Sequence, residues 1–176
     1  MKDQKDIDAI IEELKRLYPE AECSLTFDPE KAYELLFSVR LAAQCTDARV
    51  NLVTPVLYSR FPTLQSLAEA SEEEVGEIIH STGFWRAKAR DIVAASRMLL
   101  TEFGGKVPDN MEDLLRLPGV GRKTANLILG DVYHVPGVVV ADTHCIRISG
   151  KLGLTDGTKD PAKVEQQLRA ILPPEE

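Results

Sequence analysis

The sequence predicts an all-α protein, and three observations lead to this prediction. Apolar residues recur at helical spacing along most of the chain. Candidate N-caps, prolines and glycines bound these apolar segments, as they do at helix ends. The one run with β-strand composition, Val138-Val139-Val140, is too short to imply a sheet. We therefore expect roughly nine or ten short helices, with boundaries set by these caps and breakers.

The first two predicted helices have clear ends. Residues 7–17 carry apolar side chains at helical spacing, and Pro19 ends the run. Asp28 followed by Pro29 is a typical N-cap with proline at the first helical position. A second helix should therefore begin there and continue through the apolar residues that follow.

The next two helices are predicted from a regular pattern and a capping box. Residues 48–59 form the third helix, which Pro55 can break or kink. Ser71 and Glu74 have the spacing of a capping box ahead of an apolar stretch, so a helix should begin there. Gly83 ends that helix, because glycine is common just beyond a helix C-terminus.

The second half of the chain continues the helical pattern. Residues 88–103 read as a long helix closed by Gly104. Asp109 and Glu112 are spaced as a second capping box. The remaining predicted helices are one that follows residue 121 and ends before Pro136, one at residues 143–152, and a last one capped by Asp160-Pro161 and ended by Pro173-Pro174.

Length and composition exclude several classes of protein. A chain of 176 residues with 44% hydrophobic residues is long enough to bury a core as one domain or two small ones. The first ten residues, MKDQKDIDAI, lack the apolar run of a signal peptide, and no stretch is apolar enough to span a bilayer. The three cysteines are far apart and form no C-x-x-C pair, so we predict reduced thiols in the cytosol and no metal site.

The charge distribution leaves a nucleic-acid partner open. The net charge of −7 argues mildly against such a partner. However, residues 84–151 carry 10 Lys and Arg against 7 Asp and Glu, and they are the only basic segment. An acidic protein can still bind phosphate if its basic groups share one face. An ordinary mixed surface would give the same counts.

The string LPGVGRKTAN, residues 117–126, has the chemistry of an anion site. Pro118 cannot continue the preceding helix, and Gly119 and Gly121 permit positive φ and close backbone approach. The next helix begins near Arg122 with several N–H groups that lack intrahelical partners, and these can bind one phosphate of a nucleic-acid backbone. A lone G-x-G would equally suit a plain corner between two helices.

Four segments together resemble one family of repair enzymes. They are LPGVGRKTAN itself, VADTH at residues 140–144, AQCTD at residues 43–47 and GFWRAK at residues 83–88. The chain resembles the endonuclease III family of helix-hairpin-helix DNA glycosylases from about residue 35 to 172. The resemblance implies a six-helix domain at residues 22–135, with the helix-hairpin-helix near 111–130. Residues 1–21 and 136–176 would form a second helical domain.

The resemblance also assigns two catalytic residues. Lys123 matches the lysine that attacks the anomeric carbon of the sugar, expels the damaged base and forms a Schiff base that permits β-elimination. A cation is disfavoured near a helix N-terminus, and Arg122 adds positive charge, so the nucleophilic free amine is favoured there. Asp142 matches the active-site carboxylate that faces the lysine and stabilises positive charge on the sugar. Taken alone, Asp142 and Thr143 would read as a helix cap.

DNA contacts are assigned on the same basis. A base in a duplex must be flipped out before its sugar bond is attacked, and the gap must be filled. Gln44, Phe84 and His144 match the gap-filling and opposite-strand residues, although Phe84 alone would read as core and His144 as surface. The predicted phosphate contacts are four hairpin residues, Gly119, Val120, Gly121 and Arg122. Further candidates are the basic residues Arg86, Lys88 and Arg147. Trp85 is assigned to the core.

Members of this family commonly carry a 4Fe–4S cluster near the C-terminus, held by four cysteines at C-x6-C-x2-C-x5-C spacing. This sequence ends at Glu176, before that segment would begin. We therefore expect no metal, cluster or other cofactor bound by this chain, and an incomplete second domain. Either the sequence is a fragment or this version does without the cluster, and an end beside a predicted helix favours a fragment.

The leading functional prediction is a bifunctional DNA glycosylase and AP lyase that removes oxidised pyrimidines. The predicted partner is double-stranded DNA with damaged or abasic sites, bound by a monomer in the bacterial cytosol, with no membrane contact. One alternative is the monofunctional adenine glycosylase of the same superfamily, against which Lys123 argues. The other is a non-catalytic helix-hairpin-helix DNA-binding protein, against which the presence of both Lys123 and Asp142 argues.

Overall fold

A computed structural model describes residues 2–174, and the regular secondary structure in that range is entirely helical. It contains ten α-helices, one 3-10 helix and, within those residues, no strand, which confirms the all-α prediction. The α-helices are α1 Gln4–Leu17, α2 Ala32–Ala42, α3 Asp47–Arg60, α4 Leu64–Glu69, α5 Glu72–Ile79, α6 Trp85–Glu102, α7 Met111–Leu114, α8 Arg122–Asp131, α9 Thr143–Leu152 and α10 Pro161–Ile171, and the 3-10 helix is His80–Thr82.

The described chain divides into two compact units. Residues 23–128 form one, which we call the central unit, and residues 2–22 with 129–174 form the other, which we call the terminal unit. In the central unit, α6 packs against α4, α5 and α2, and α2 also packs against α3. Its core is made of fully buried aliphatic side chains from these helices, including Leu35, Leu57, Leu67, Val75 and Ile92.

The terminal unit has its own apolar core. Ile7 of α1, Ala141 before α9, Leu154 after it, and Val164 and Leu168 of α10 form a buried cluster. The apolar stripe of α1 therefore has a partner in α10, as expected for an amphipathic helix. None of the helices within residues 2–174 is long and apolar enough to cross a membrane.

Two predicted helix caps, Asp28 and Asp109, are wrong, and each has a local cause. The Asp28 carboxylate accepts a hydrogen bond from the Glu30 N–H at 3.0 Å, and the Lys31 N–H donates to the Asp28 carbonyl at 2.8 Å. These bonds close a turn, so α2 begins at Ala32 rather than after Asp28. Likewise, the side chain of Asn110 caps α7 by accepting from the Asp113 N–H at 2.9 Å, one residue after the predicted Asp109 cap.

Other elements agree with the sequence pattern or extend it. Ser71 and Glu74 form the predicted capping box of α5, and Asp160 caps α10. Pro55 lies inside α3, which continues through it to Arg60. The six-residue α4, absent from the prediction, is capped by Thr63 and is too short to show helical periodicity.

Candidate active site and nucleic-acid interface

The helix-hairpin-helix turn lies between α7 and α8 in the central unit. The Leu117 N–H donates to the Leu114 carbonyl at 3.2 Å, and the Val120 N–H donates to the Leu117 carbonyl at 3.1 Å, so the turn is tight. Gly119 has φ +77°, a left-handed conformation that favours glycine. The Ala125 N–H donates to the Gly121 carbonyl at 2.9 Å and opens the hydrogen-bond ladder of α8.

The two hairpin glycines have different roles. A Cβ on Gly119 would lie 2.8 Å from Arg40 Nε and 2.9 Å from Asp91 Oδ2, which is too close for any side chain. A Cβ on Gly121 would meet no atom within 4 Å, and the φ of Gly121 is not positive. Gly119 is therefore required by the fold, whereas Gly121 leaves open space beside the start of α8. Gly119 thus adopts the positive φ that glycine permits, whereas Gly121 does not.

Lys123 is the second residue of α8 and is exposed, as are Arg122 and Gly121. The first N–H groups of a helix lack intrahelical acceptors and carry the positive end of the helix dipole. An anion that approaches the hairpin from the Gly121 side would therefore meet backbone donors with Lys123 close in sequence. The arrangement can therefore bind a phosphate, and the exposed Lys123 lies on the same first turn of α8.

Gln44 and Phe84 each occupy an exposed turn with an uncommon backbone conformation. Gln44 follows α2 with φ 53°, and Phe84 precedes α6 with φ 48°. Left-handed backbone is costly for residues other than glycine and usually persists only where the surroundings impose it. The Phe84 side chain is 68% exposed, so the core-packing alternative for this residue is wrong.

The structure corrects the interpretation of Lys88 and modifies that of Trp85. Lys88 is fully buried and donates to two backbone carbonyls, so it is not available to a phosphate. Burial lowers the pKa of Lys88 because desolvation penalises the ammonium. Trp85 is half-buried against Gly76 and His80, and the Arg86 guanidinium lies 4.2 Å from the centroid of its ring. Arg86 and Arg147 are exposed.

Asp142 and His144 belong to the terminal unit. Asp142 is the N-cap of α9, and its carboxylate accepts the Cys145 N–H at 2.7 Å. The capping interpretation is therefore correct for Asp142 itself, whereas Thr143 is the first helical residue. His144 is exposed on the first turn of α9. Burial, together with the Asp142 charge, raises the pKa of the Cys145 thiol.

The cysteines give no metal-binding arrangement in the described part of the chain. Cys23, Cys45 and Cys145 form no disulfide bond with one another. Among residues 2–174, no group of three or more His, Cys, Asp or Glu side chains could hold a metal ion.

Comparison with known proteins identifies the family. Residues 37–174 match the HhH-GPD superfamily of base excision DNA repair proteins. Endonuclease III of Synechocystis sp. is 49% identical over 160 residues, which are 91% of this chain and 72% of that protein. The chain belongs to the endonuclease III family. The endonuclease III of Bacillus subtilis is 37% identical over 172 residues, which cover 98% of this chain and 77% of that protein.

Solved structures agree with this assignment. A trapped endonuclease III–DNA covalent intermediate matches 99% of this chain and 81% of its own, with a TM-score of 0.92 and 37% identity. A non-covalent endonuclease III–DNA complex gives the same TM-score and identity, with 80% of its chain covered. A thermostable thymine-DNA glycosylase has a TM-score of 0.78 at 19% identity, which shows the shared fold alone. The predictions of the family and of a glycosylase of base excision repair are therefore confirmed.

Three residues support the site in roles that the sequence did not predict. Arg40 and Asp91 lie beneath the hairpin, and Lys88 lies beneath the turns that carry Gln44 and Phe84. The GFWRAK segment drew attention to Lys88 as a phosphate contact, but nothing in that segment indicates that its side chain is buried. No local pattern pairs Arg40 with Asp91, because 51 positions separate them.

Proposed function

We propose that this chain is a bifunctional DNA glycosylase and AP lyase that removes oxidised pyrimidines from double-stranded DNA. One observation carries the proposal. Lys123 is an exposed amine in the first turn of the hairpin helix, and the chain shares its fold, at a TM-score of 0.92, with an endonuclease III trapped as a covalent intermediate with DNA. Covalent capture needs a nucleophile, and a lysine amine beside a phosphate-binding turn can supply one.

The proposed reaction begins with attack of the Lys123 amine on C1′ of the damaged nucleotide. The glycosidic bond breaks, and its electron pair leaves with the base, which takes up a proton. The nitrogen lone pair then breaks the bond between C1′ and the ring oxygen, the nitrogen loses its second proton to that oxygen, and an open-chain imine results. Removal of a C2′ proton then breaks the bond between C3′ and its oxygen, so the strand is cut on the 3′ side. Asp142 would stabilise the cationic sugar and assist proton transfer.

The exposed turns are the proposed means of reaching the base. Phe84 offers an apolar side chain that could enter the stack, and Gln44 offers an amide that could pair with the orphaned base. His144 is proposed to contact the opposite strand. Gly119, Val120, Gly121 and Arg122 are proposed to bind the backbone phosphate, a contact that fixes the position of the protein without reading sequence.

The iron–sulfur cluster common in the family does not fit the residues of this chain. A 4Fe–4S cluster is held by four thiolates, and the chain has three cysteines. These lie in separate segments, with Cys23 and Cys45 in the central unit and Cys145 in the terminal unit. The proposed reaction uses no step through a cluster or metal.

Borohydride trapping on a duplex with one abasic site tests the proposal. Borohydride reduces an imine to a stable amine, so an imine-forming enzyme becomes covalently attached to the DNA. We expect trapping in the presence of EDTA, and strand cleavage of a duplex that carries an oxidised pyrimidine. Duplex binding without trapping would indicate a non-catalytic protein, and adenine removal from an A/G mispair without strand cleavage would indicate a monofunctional enzyme.

We further propose that the active species is a cytosolic monomer.

A further inference from the structure

A fully buried lysine connects the two turns that carry Gln44 and Phe84. Lys88, in the first turn of α6, has no exposed surface. Its Nζ donates to the Leu41 carbonyl at 2.8 Å and to the Thr82 carbonyl at 2.8 Å. One ammonium therefore bridges the end of α2 and the end of the 3-10 helix.

Both carbonyls are well suited to a cation. Leu41 is among the last residues of α2, whose final carbonyls lack intrahelical donors and carry the negative end of the helix dipole. Thr82 is the last residue of the 3-10 helix and is itself fixed, because its hydroxyl donates to the Ile79 carbonyl at 2.8 Å. A buried lysine is rare and costly unless its donors are satisfied, so this position is specified by its two acceptors.

Each carbonyl lies just ahead of an exposed left-handed residue. Leu41 is three residues before Gln44, and Thr82 is two residues before Phe84. The Phe84 carbonyl also accepts the Lys88 N–H at 3.2 Å, so the backbone of Lys88 holds Phe84 while its side chain holds Thr82, two residues earlier. A rigid link of this kind fixes the position of one turn relative to the other.

We propose that Lys88 is a positioning residue that couples these two turns, so that Gln44 and Phe84 enter the duplex as one unit when the base is extruded. This inference rests on the proposed function, because it assumes that these side chains contact DNA. Lys88 would touch neither substrate nor reacting atoms. It would set the distance between the side chain that enters the stack and the one that meets the orphaned base.

The test is Lys88→Met, which keeps most of the apolar stem and removes the donor. Base extrusion is measured by the fluorescence of 2-aminopurine placed next to an oxidised pyrimidine in the duplex, and chemistry by single-turnover cleavage of an abasic duplex. We expect both to fall by about tenfold to about a hundredfold, the scale for misplaced positioning groups. Affinity for undamaged duplex should change by less than about threefold, because the hairpin binds the backbone separately.

Arg97→Met is the matched control. Arg97 lies on the same helix, and its Nε donates to the Ala68 carbonyl at 2.8 Å, near the end of α4. The substitution removes one cation–carbonyl bond of an exposed residue, from a place that holds neither turn. We expect wild-type extrusion and cleavage from this variant once circular dichroism shows wild-type helix content.

A double-mutant cycle distinguishes coupling from general support of the fold. Gln44→Ala and Phe84→Ala change exposed side chains, so both single variants and the double variant should fold. Coupled residues give non-additive effects, and independent residues give additive ones. We expect the loss of extrusion to be non-additive in the wild-type background and additive in Lys88→Met. If Lys88→Met does not fold, Lys88→Gln replaces it under the same criteria.

The outcomes separate this inference from the proposed function. If wild-type protein extrudes the base and traps no imine, the proposed chemistry fails while the coupling can still be measured. If a folded Lys88 variant extrudes the base within about twofold of wild type, the coupling is wrong. The inference is also overturned if undamaged-duplex affinity falls by the same factor as extrusion, or if the cycle is additive in the wild-type background.

Discussion

The guanidinium of Arg40 and the carboxylate of Asp91 form an ion pair directly beneath Gly119 of the hairpin. Arg40 Nη2 lies 2.8 Å from Asp91 Oδ2, and Arg40 Nε donates to the same oxygen at 2.9 Å. The missing Cβ of Gly119 is what allows the turn to rest on this pair. The hairpin is thus supported by α2 and α6, the same two helices whose adjoining turns carry Gln44 and Phe84.

Substitution of the two hairpin glycines should have different effects on stability and on DNA affinity. We expect Gly119→Ala to lower the free energy of unfolding by about 2 to 4 kcal/mol, from left-handed backbone strain and overpacking against Arg40. Gly121→Ala should leave stability nearly unchanged, because its Cβ meets no atom within 4 Å. It should still weaken binding to damaged and undamaged duplexes alike, by about tenfold, through loss of a charge-assisted hydrogen bond.

Urea unfolding and fluorescence anisotropy with a labelled duplex check these two glycines. If Gly121→Ala bound undamaged DNA normally and lost affinity for damaged DNA alone, the glycine would serve the lesion pocket rather than the phosphate. Equal destabilisation by both substitutions would contradict the different roles that the structure gives them.

Removal of the Arg40 guanidinium should destabilise the central unit. We expect Arg40→Met to lower the free energy of unfolding by about 1.5 to 3 kcal/mol, the range for hydrogen bonds to a charged group. Arg90→Met is the control, because Arg90 contacts the same carboxylate from the exposed side, with Nη2 3.4 Å from Asp91 Oδ1. That exposed contact should contribute less than about 1 kcal/mol. Urea unfolding of both variants would show whether the inner contact dominates, and equal effects would contradict it.

Sequence patterns predicted the elements whose signals are local. The bounds of α9 and the cap of α10 follow from residues that stand next to the helix they define. The start of α2 could not be predicted in the same way, because Asp28 bonds to the Glu30 N–H within a turn instead of capping a helix. Six-residue α4 completes fewer than two helical turns, so its apolar residues cannot establish a period.

The candidate site likewise contains residues with a local sequence signal and residues without one. Lys123 and the hairpin glycines were predicted because one contiguous string contains them. The residues that support the candidate site were not predicted. Arg40 and Asp91, beneath the hairpin, are 51 positions apart. Lys88, beneath the turns of Gln44 and Phe84, donates to a carbonyl 47 positions away. A lysine between arginines and alanines reads as surface charge, and only three-dimensional packing shows that its ammonium is enclosed.

Replacement of Lys123 tests the nucleophile. We expect Lys123→Gln to abolish borohydride trapping and to slow strand cleavage by at least about a thousandfold, the scale for loss of a catalytic nucleophile. Duplex affinity should survive, because the hairpin contact is mainly made by backbone N–H groups. Arg122→Gln is the contrasting variant, which should weaken binding and keep trapping once the DNA is saturated. Efficient trapping by Lys123→Gln, measured on a denaturing gel, would show that another amine reacts.

Asp142 requires variants that separate its carboxylate charge from its capping bond. Asparagine and serine cap helices about as well as aspartate, so Asp142→Asn and Asp142→Ser should preserve the bond to the Cys145 N–H. Alanine cannot accept that bond and should cost about 1 kcal/mol of stability. If the charge is catalytic, all three variants should lose base removal by about a hundredfold or more, whatever their stability.

The control is Asp160→Asn at the cap of α10. Asparagine can still accept the Ala162 N–H, so the cap is kept. The carboxylate that is lost lies away from the predicted site. That variant should remove bases at the wild-type rate. Single-turnover release of an oxidised pyrimidine and thermal unfolding, measured on the same preparations, give the two quantities to compare. The two roles predict different activities for the three Asp142 variants. A catalytic charge predicts that all three are inactive. If the Asn and Ser variants were active and the Ala variant inactive, activity would follow stability, and Asp142 would act only as a helix cap.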